Sequence, residues 1–297
     1  MKIIDFDNVH RSYRKDVPVL NGVTFSVEAG EVVGLLGKNG AGKTTLIRVA
    51  LGLLETQKGR VRVFGLDPRR DGVQVKQRIG YVAEDQNLPS FLTVAEVIAL
   101  HRSLFPNWDN QLARELSANF PLPPNARISR LSKGQARQVA LLCAVAHRPE
   151  LLLLDEPAGG LDPAARREFL ETAIRLLSDG GTTIVFSSHH LTDVERLARR
   201  VVMIHDGYLF LDSEVDDLKE GYSLALIPNA AALAPRDLLR LAGCVGARRR
   251  DDFVHAIFKK DSQSTQALLA HELGIAYTRC APLALEDMFV ELVGGSS

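Results

Sequence analysis

A chain of 297 residues is long enough for one large domain and a small second one. Lys plus Arg and Asp plus Glu balance at 36 each, which excludes the strong positive field of a dedicated nucleic-acid binder. The three cysteines, Cys143, Cys244 and Cys280, stand far apart with no C-x-x-C pair, so they read as small buried hydrophobes in a reducing compartment.

The first residues contain no apolar stretch of signal-peptide length, and the strongest apolar run, Leu151 to Leu154, is too short to cross a bilayer. The expectation is a cytosolic protein whose membrane role, if it has one, comes through a partner.

Residues 1–35 alternate apolar and polar side chains, as in Val23-Thr24-Phe25-Ser26-Val27, which predicts half-buried antiparallel strands. A short apolar strand, 31–36, runs into a glycine-rich loop, and a helix is expected from about Lys43 to Leu54. Residues 60–64 return to strand alternation. A helical region from Thr93 to about Asn119 is broken by Pro106, Pro121, Pro123 and Pro124. A helix after Leu131, a buried strand at 151–154, a helix over 163–177 and a third buried strand at 182–186 follow. Buried strands alternating with helices predict a mainly parallel sheet covered on both faces.

Near residue 220 the texture changes. Beyond it the pattern is strand 222–227, helix 233–242, strands 244–249 and 252–258, helix 262–272, strand 275–280 and helix 284–293. That order predicts a small ferredoxin-like α+β domain over 221–297, separate from a first domain over 1–220.

Between the third strand and its helix, Gly37-Lys38-Asn39-Gly40-Ala41-Gly42-Lys43-Thr44 matches G-x-x-x-x-G-K-S/T. Glycines at Gly37, Gly40 and Gly42 let successive N–H groups, including that of Asn39, turn toward phosphate oxygens, and the following helix adds its positive end. Lys43 is expected on the β- and γ-phosphates, the Thr44 hydroxyl on Mg²⁺, and Thr45 on the α-phosphate. By itself this motif leaves kinase, GTPase and ATPase open.

The run Leu151-Leu152-Leu153-Leu154-Asp155-Glu156-Pro157 ends a buried strand in two carboxylates. Neighbouring side chains on extended backbone face opposite ways, so the two acids have different tasks. Asp155 is expected to hold Mg²⁺ through a water, and Glu156 to orient or deprotonate the attacking water. An acid beside the metal acid marks hydrolysis to ADP and phosphate.

Leu131-Ser132-Lys133-Gly134-Gln135 resembles the LSGGQ signature of ABC ATPases, and further family motifs stand in order around it. Tyr13 matches the residue that stacks on adenine, Gly160-Leu161-Asp162 resembles the D-loop, and Ser187-Ser188-His189 the switch-histidine loop. The resemblance covers roughly residues 3–215. It implies a P-loop NTPase fold with a RecA-like parallel core, an antiparallel β subdomain and a helical subdomain at about 90–150.

It also implies a mechanism: two ATPase subunits, identical or paralogous, meet head to tail and bury ATP between the phosphate loop of one and the signature of the other. Ser132, Gly134 and Gln135 would then serve the γ-phosphate across the interface, His189 would bind it in the same subunit, and Asp162 would bridge the subunits. A separate transmembrane permease subunit is the implied partner, at the cytoplasmic face of the membrane, with no nucleic acid. The sequence around Leu131 and the ending at 285–292 look like bacterial exporter ATPases for drugs, antibiotics and peptides, with an importer ATPase or a non-transport ABC ATPase as the alternative.

Three departures stand out. Glu84 occupies the place of the family's Q-loop glutamine, with Gln86 as the alternative; Glu84 offers an oxygen toward Mg²⁺ but adds negative charge. Lys133 replaces a signature glycine, its side chain either in solvent or near the opposite γ-phosphate. Pro157-Ala158-Gly159-Gly160 lacks the hydroxyl residues common before the D-loop. Of the remaining residues, His190 is expected at the surface, and Arg248-Arg249-Arg250-Asp251-Asp252 as a solvated hairpin turn. Trp108 is expected to pack the helical subdomain or to form part of a docking surface.

Overall fold

The computed structural model describes residues 1–14, 17–85, 88–120, 122–157, 159, 163–178, 181–228, 234–275, 278–285 and 287–288. The chain divides into two compact units, Met1–Asp212 and Ser213–Ser297.

The first unit opens with two long strands, β1 (Lys2–Arg14) and β2 (Val17–Glu28), and continues through β3 (Val32–Leu36), α1 (Lys43–Ala50) and β4 (Lys58–Val63). β1 lies between β2 and β4 in a three-stranded antiparallel sheet. The alternation read from the sequence appears as a buried row, Ile4, Phe6, Val23, Phe25, Val27, Val61 and Val63, on the face that packs inward.

After α2 (Gly72–Gln77) and β5 (Ile79–Val82) come α3 (Val94–Leu104), α4 (Asn110–Asn119) and α5 (Lys133–Val145). Both α3 and α5 begin in capping boxes, Thr93 with Glu96 and Ser132 with Gln135, which satisfy backbone donors at each helix start. Asp109 caps α4 by accepting from the N–H groups of Gln111 and Leu112.

The chain then alternates β6 (Leu151–Leu154), α6 (Pro163–Ser178), β7 (Thr183–Ser188), α7 (Leu191–Leu197) and β8 (Arg200–His205), ending in β9 (Tyr208–Glu214). These strands form a six-stranded sheet in the order β5-β6-β7-β3-β8-β9, with β5, β6, β7, β3 and β8 parallel. All four residues of β6 and all six of β7 are buried, as strands covered on both faces must be. This is the P-loop NTPase core expected from the sequence. β3 is interior to the sheet, between β7 and β8, so its C-terminal end delivers the phosphate loop beside the end of β7, with β6 the next strand over.

The second unit begins with α8 (Val215–Gly221), then β10 (Ser223–Pro228), α9 (Pro235–Leu238), β11 (Cys244–Arg250), β12 (Phe253–Phe258), α10 (Ser262–Leu273) and β13 (Arg279–Pro282). The antiparallel strand order β11-β12-β10-β13, with two intervening helices, has the ferredoxin-like βαββαβ arrangement. Ala225, Ile227, Leu238, Val254, Ala256, Phe258 and Leu269 form its core.

Several boundaries differ from the sequence reading. α1 stops at Ala50 because Gly52 takes a left-handed φ of 68° and ends the turn. α9 spans four residues, and its expected start at 233 lies outside the described residues. β13 runs from 279 to 282, later than expected. Most of the helix expected over 284–293 lies outside the described residues. The Arg248 to Asp252 segment is the β11–β12 hairpin, Arg250 pairing with Phe253 across Asp251, whose φ is 48°.

Candidate functional site: a phosphate loop facing two carboxylates

The loop between β3 and α1 owes its shape to glycine. Gly42 caps α1 with φ 112°, and a Cβ there would come within 2.7 Å of Leu20 Cδ2 and 2.9 Å of the Val19 carbonyl oxygen. Gly40, with φ 83°, faces open space with no atom within 4 Å of where a Cβ would stand. The result is a cleft of about 530 Å³ lined by Lys38, Asn39, Gly40, Gly42, Lys43, Thr44 and Thr45 from the loop and helix. Tyr13, Val19, Glu84, Glu156 and His189 complete its walls.

Lys43 is buried, and its Nζ donates to the Gly37 carbonyl at 2.7 Å, so the lysine folds back over its own loop. The same Nζ lies 3.3 Å from Glu156 Oε1. Glu156 Oε2 is 2.9 Å from His189 Nδ1, so one carboxylate sits between two groups that can carry positive charge. Glu156 has a φ of 43°, a conformation that costs a non-glycine residue roughly 1–3 kcal/mol and persists only where the surroundings enforce it. Part of that enforcement is visible: the Glu156 N–H donates to Ser187 Oγ at 2.8 Å.

Ser187 in turn donates to Asp155 Oδ1 at 2.9 Å, and Thr44 Oγ1 donates to the same oxygen at 3.0 Å. Burial raises the Asp155 pKa, opposed by these two hydroxyls and reinforced by the neighbouring Glu156 charge. Tyr13 places its hydroxyl 3.2 Å from Thr45 Oγ1 while more than half of the residue stays exposed, leaving the ring open to a partner. The Arg11 guanidinium stands 5.6 Å from the Tyr13 ring centroid.

The structure therefore brings together Tyr13, Asn39, Gly40, Gly42, Lys43, Thr44, Thr45, Glu84, Glu156 and His189 around one cleft, with Gly37 and Asp155 bonded to its lining. Ser132, Gly134 and Gln135 do not line it; they start α5, with Ser132 exposed. Asp162, with the rest of Gly160-Leu161-Asp162, lies outside the described residues, as does Gln86.

His190 departs from expectation. It is half-buried, its ring centroid is 4.0 Å from that of His189, and its Nε2 is 2.9 Å from Arg166 Nη1. Burial, then the neighbouring His189 and Arg166, hold its pKa below the usual histidine value. The bridging role of Ser187 was not anticipated either; the available signal was a polar residue at the end of an otherwise apolar buried strand. Cys143 meets its reading, since burial pushes its thiol up to about 12.

A glycine-lined loop at a helix start, a buried lysine and a strand-end acid bonded to the loop threonine define the class: a P-loop nucleoside triphosphatase. Comparisons with known proteins narrow it. A profile of the ABC transporter family matches residues 20–159. The ABC transporter ATP-binding protein YtrB of Bacillus subtilis (strain 168) is 32% identical over 280 residues, covering 93% of this chain and 94% of that protein. The Nod factor export ATP-binding protein I of Burkholderia orbicola (strain AU 1054) is 34% identical over 306 residues, covering 98% and 97%. A solved ATP-binding subunit of an ABC transporter superposes with a TM-score of 0.66 at 28% identity, covering 73% of this chain and 92% of that one. The chain belongs to the family of ABC transporter ATP-binding proteins; it binds ATP and is an ATPase.

Proposed function

We propose that this chain is the ATP-hydrolysing subunit of an exporter, working at the cytoplasmic face of a membrane through a separate transmembrane permease subunit. The observation that carries the hydrolytic role is the Glu156 carboxylate, held at the cleft in strained backbone between Lys43 and His189. Export is supported by the name of a relative matched over nearly its whole length, a Nod factor export protein. The need for a membrane partner is supported by the helices: among the described residues none is long and apolar enough to cross a bilayer.

In this reading the loop N–H groups and Lys43 bind the β- and γ-phosphates, and Tyr13 stacks on adenine. Thr44 and Asp155 present two oxygens 3.0 Å apart, a donor set that suits a hard dication whose other positions go to water and phosphate. Mg²⁺ held there, with Glu84 as a further oxygen, would offset charge on the phosphate oxygens. Glu156 takes a proton as a water attacks the γ-phosphorus and ADP leaves, and His189 holds the γ-phosphate and orients Glu156.

Ser132, Gly134 and Gln135 act on ATP bound by a second subunit, identical or paralogous, in a head-to-tail dimer that Asp162 helps to bridge. Their position away from the cleft of their own chain, at an exposed helix start, supports that division. The test is Glu156→Gln with Mg-ATP. A trapped ATP-bound dimer by size exclusion, and recovery of a protein with several membrane spans from solubilised membranes, are expected. A variant that stays monomeric at saturating Mg-ATP would overturn the composite site.

A further inference from the structure

Arg137, on α5, is buried, with a relative exposure of 7%. A buried guanidinium ordinarily has its N–H groups satisfied, because an uncompensated buried charge is costly. Here only Nη2 has a described acceptor, the Glu84 carbonyl, at a long 3.4 Å. Its Nε and Nη1 have no hydrogen-bond partner among the described residues.

The surroundings say what this cation serves. On one side is the segment after β5, where Glu84 lines the phosphate cleft and is followed by Asp85. On the other is the loop that leaves Glu156: a Cβ at Gly159 would stand 3.7 Å from Arg137 Nη2, and the Gly159 N–H donates to the Glu156 carbonyl at 3.1 Å. The buried cation therefore lies between the two segments that bring carboxylates to the cleft. Burial lowers the Arg137 pKa, and the charges of Glu84 and then Asp85 act against that.

An acid at position 84 poses a problem that a neutral amide would not. A polyanion must enter a cleft already holding the Glu156 carboxylate, and a second acid on the cleft wall adds to the repulsion it meets. We propose that Arg137 is the internal counter-ion of the Glu84 segment: a positioning residue that offsets the Glu84 charge from the buried side of that segment, where it meets the Glu84 carbonyl, and lets the cleft accept ATP with an acid there. The two residues form a matched pair, so that Glu84 without Arg137 disfavours ATP, and without Glu84 the Arg137 charge has little left to offset. The inference rests on the cleft being the ATP site, as proposed above.

The experiment is a double-mutant cycle on the full-length protein, using Glu84→Gln, Arg137→Gln and the pair, with Arg137→Lys as the conservative control. Equilibrium binding of ATP is measured with and without Mg²⁺, alongside Mg-ATP turnover. Arg137→Gln is expected to weaken Mg-free ATP binding about 10-fold, Arg137→Lys less than about 3-fold, and Glu84→Gln alone to tighten it. When Glu84→Gln is already present, Arg137→Gln should cost less than about 3-fold, a coupling well within the range for residues sharing one charge network.

An Arg137→Gln effect of equal size in both backgrounds would overturn the pairing. If Arg137→Gln fails to fold, Glu84→Gln alone still decides, since unchanged or weakened Mg-free ATP binding in that variant contradicts the inference. A parent protein that binds ATP but does not hydrolyse it would sink the hydrolytic reading and leave the binding cycle to judge the pair. A parent that binds no ATP would overturn both.

Discussion

In the proposed reaction Glu156 is the residue on which the chemistry turns, and its two neighbours give it opposite prospects. The Lys43 contact at 3.3 Å neutralises it, while the His189 contact at 2.9 Å orients it, so in the proposed reaction ATP would draw Lys43 to its phosphates and free the carboxylate for a water. A general base contributes about 10²–10⁴-fold, so Glu156→Gln should lower Mg-ATP turnover by that factor while nucleotide binding survives. Lys43→Ala should instead lose binding itself. ATP stabilises the folded chain by about 2.7 kcal/mol at a hundred times its Kd, which a melting curve reads as a shift; in Lys43→Ala that shift should vanish, and its persistence would displace the phosphate-loop assignment. Residues such as Lys43, Thr44, Asp155 and Glu156 were legible in the sequence because each task admits few residue types at fixed spacing. Ser187 and Arg137 were not, because each acquires its meaning from a partner 31 to 53 positions away that only folding brings near.

Among the elements, α5 has the most demands placed on it. Its start is held locally: the Ser132 hydroxyl accepts from the Gln135 N–H at 3.2 Å, and Gln135 Oε1 accepts from the Ser132 N–H at 3.0 Å. Its packing is not local. Gly80 in β5 lies so close beneath α5 that a Cβ would run into the Ala144 carbonyl, and to 2.9 Å of Leu152 Cδ1 in β6. Gly80→Ala is therefore expected to destabilise the protein by about 1–3 kcal/mol through overpacking, seen as a lower urea midpoint with an unchanged slope. An unshifted midpoint would mean that β5 and α5 can separate at no cost. The sequence could not announce this approach, since nothing in Arg78-Ile79-Gly80-Tyr81 distinguishes a glycine of contact from a glycine of turn.

At the scale of the whole molecule, His147 makes stability depend on pH. The imidazole is 3% exposed, stacks on Phe105 with centroids 3.9 Å apart, and places Nε2 3.2 Å from the Ile79 carbonyl oxygen. Burial holds its pKa below the histidine value of 6.5, so the folded protein prefers the neutral ring. As pH falls below 6.5 the unfolded chain takes up the proton first, and stability declines until the lower folded pKa is passed; above 6.5 the contribution is complete. Urea unfolding followed through Trp108 at pH 7.5 and 5.5 should show a smaller loss in His147→Gln than in the parent. Equal losses would place the acid sensitivity elsewhere. The sequence by itself determined the class of chain: alternation and apolar runs set the two kinds of sheet, and the motif residues set the nucleotide chemistry, because both follow from local spacing. Only the tertiary structure decided that Thr44, Asp155, Glu156 and His189 meet at one edge of a β6-β7-β3 core, and that a buried Arg137 meets the Glu84 carbonyl. Strand order and the burial of a charge are properties of the packed whole, and no window of neighbouring residues contains them.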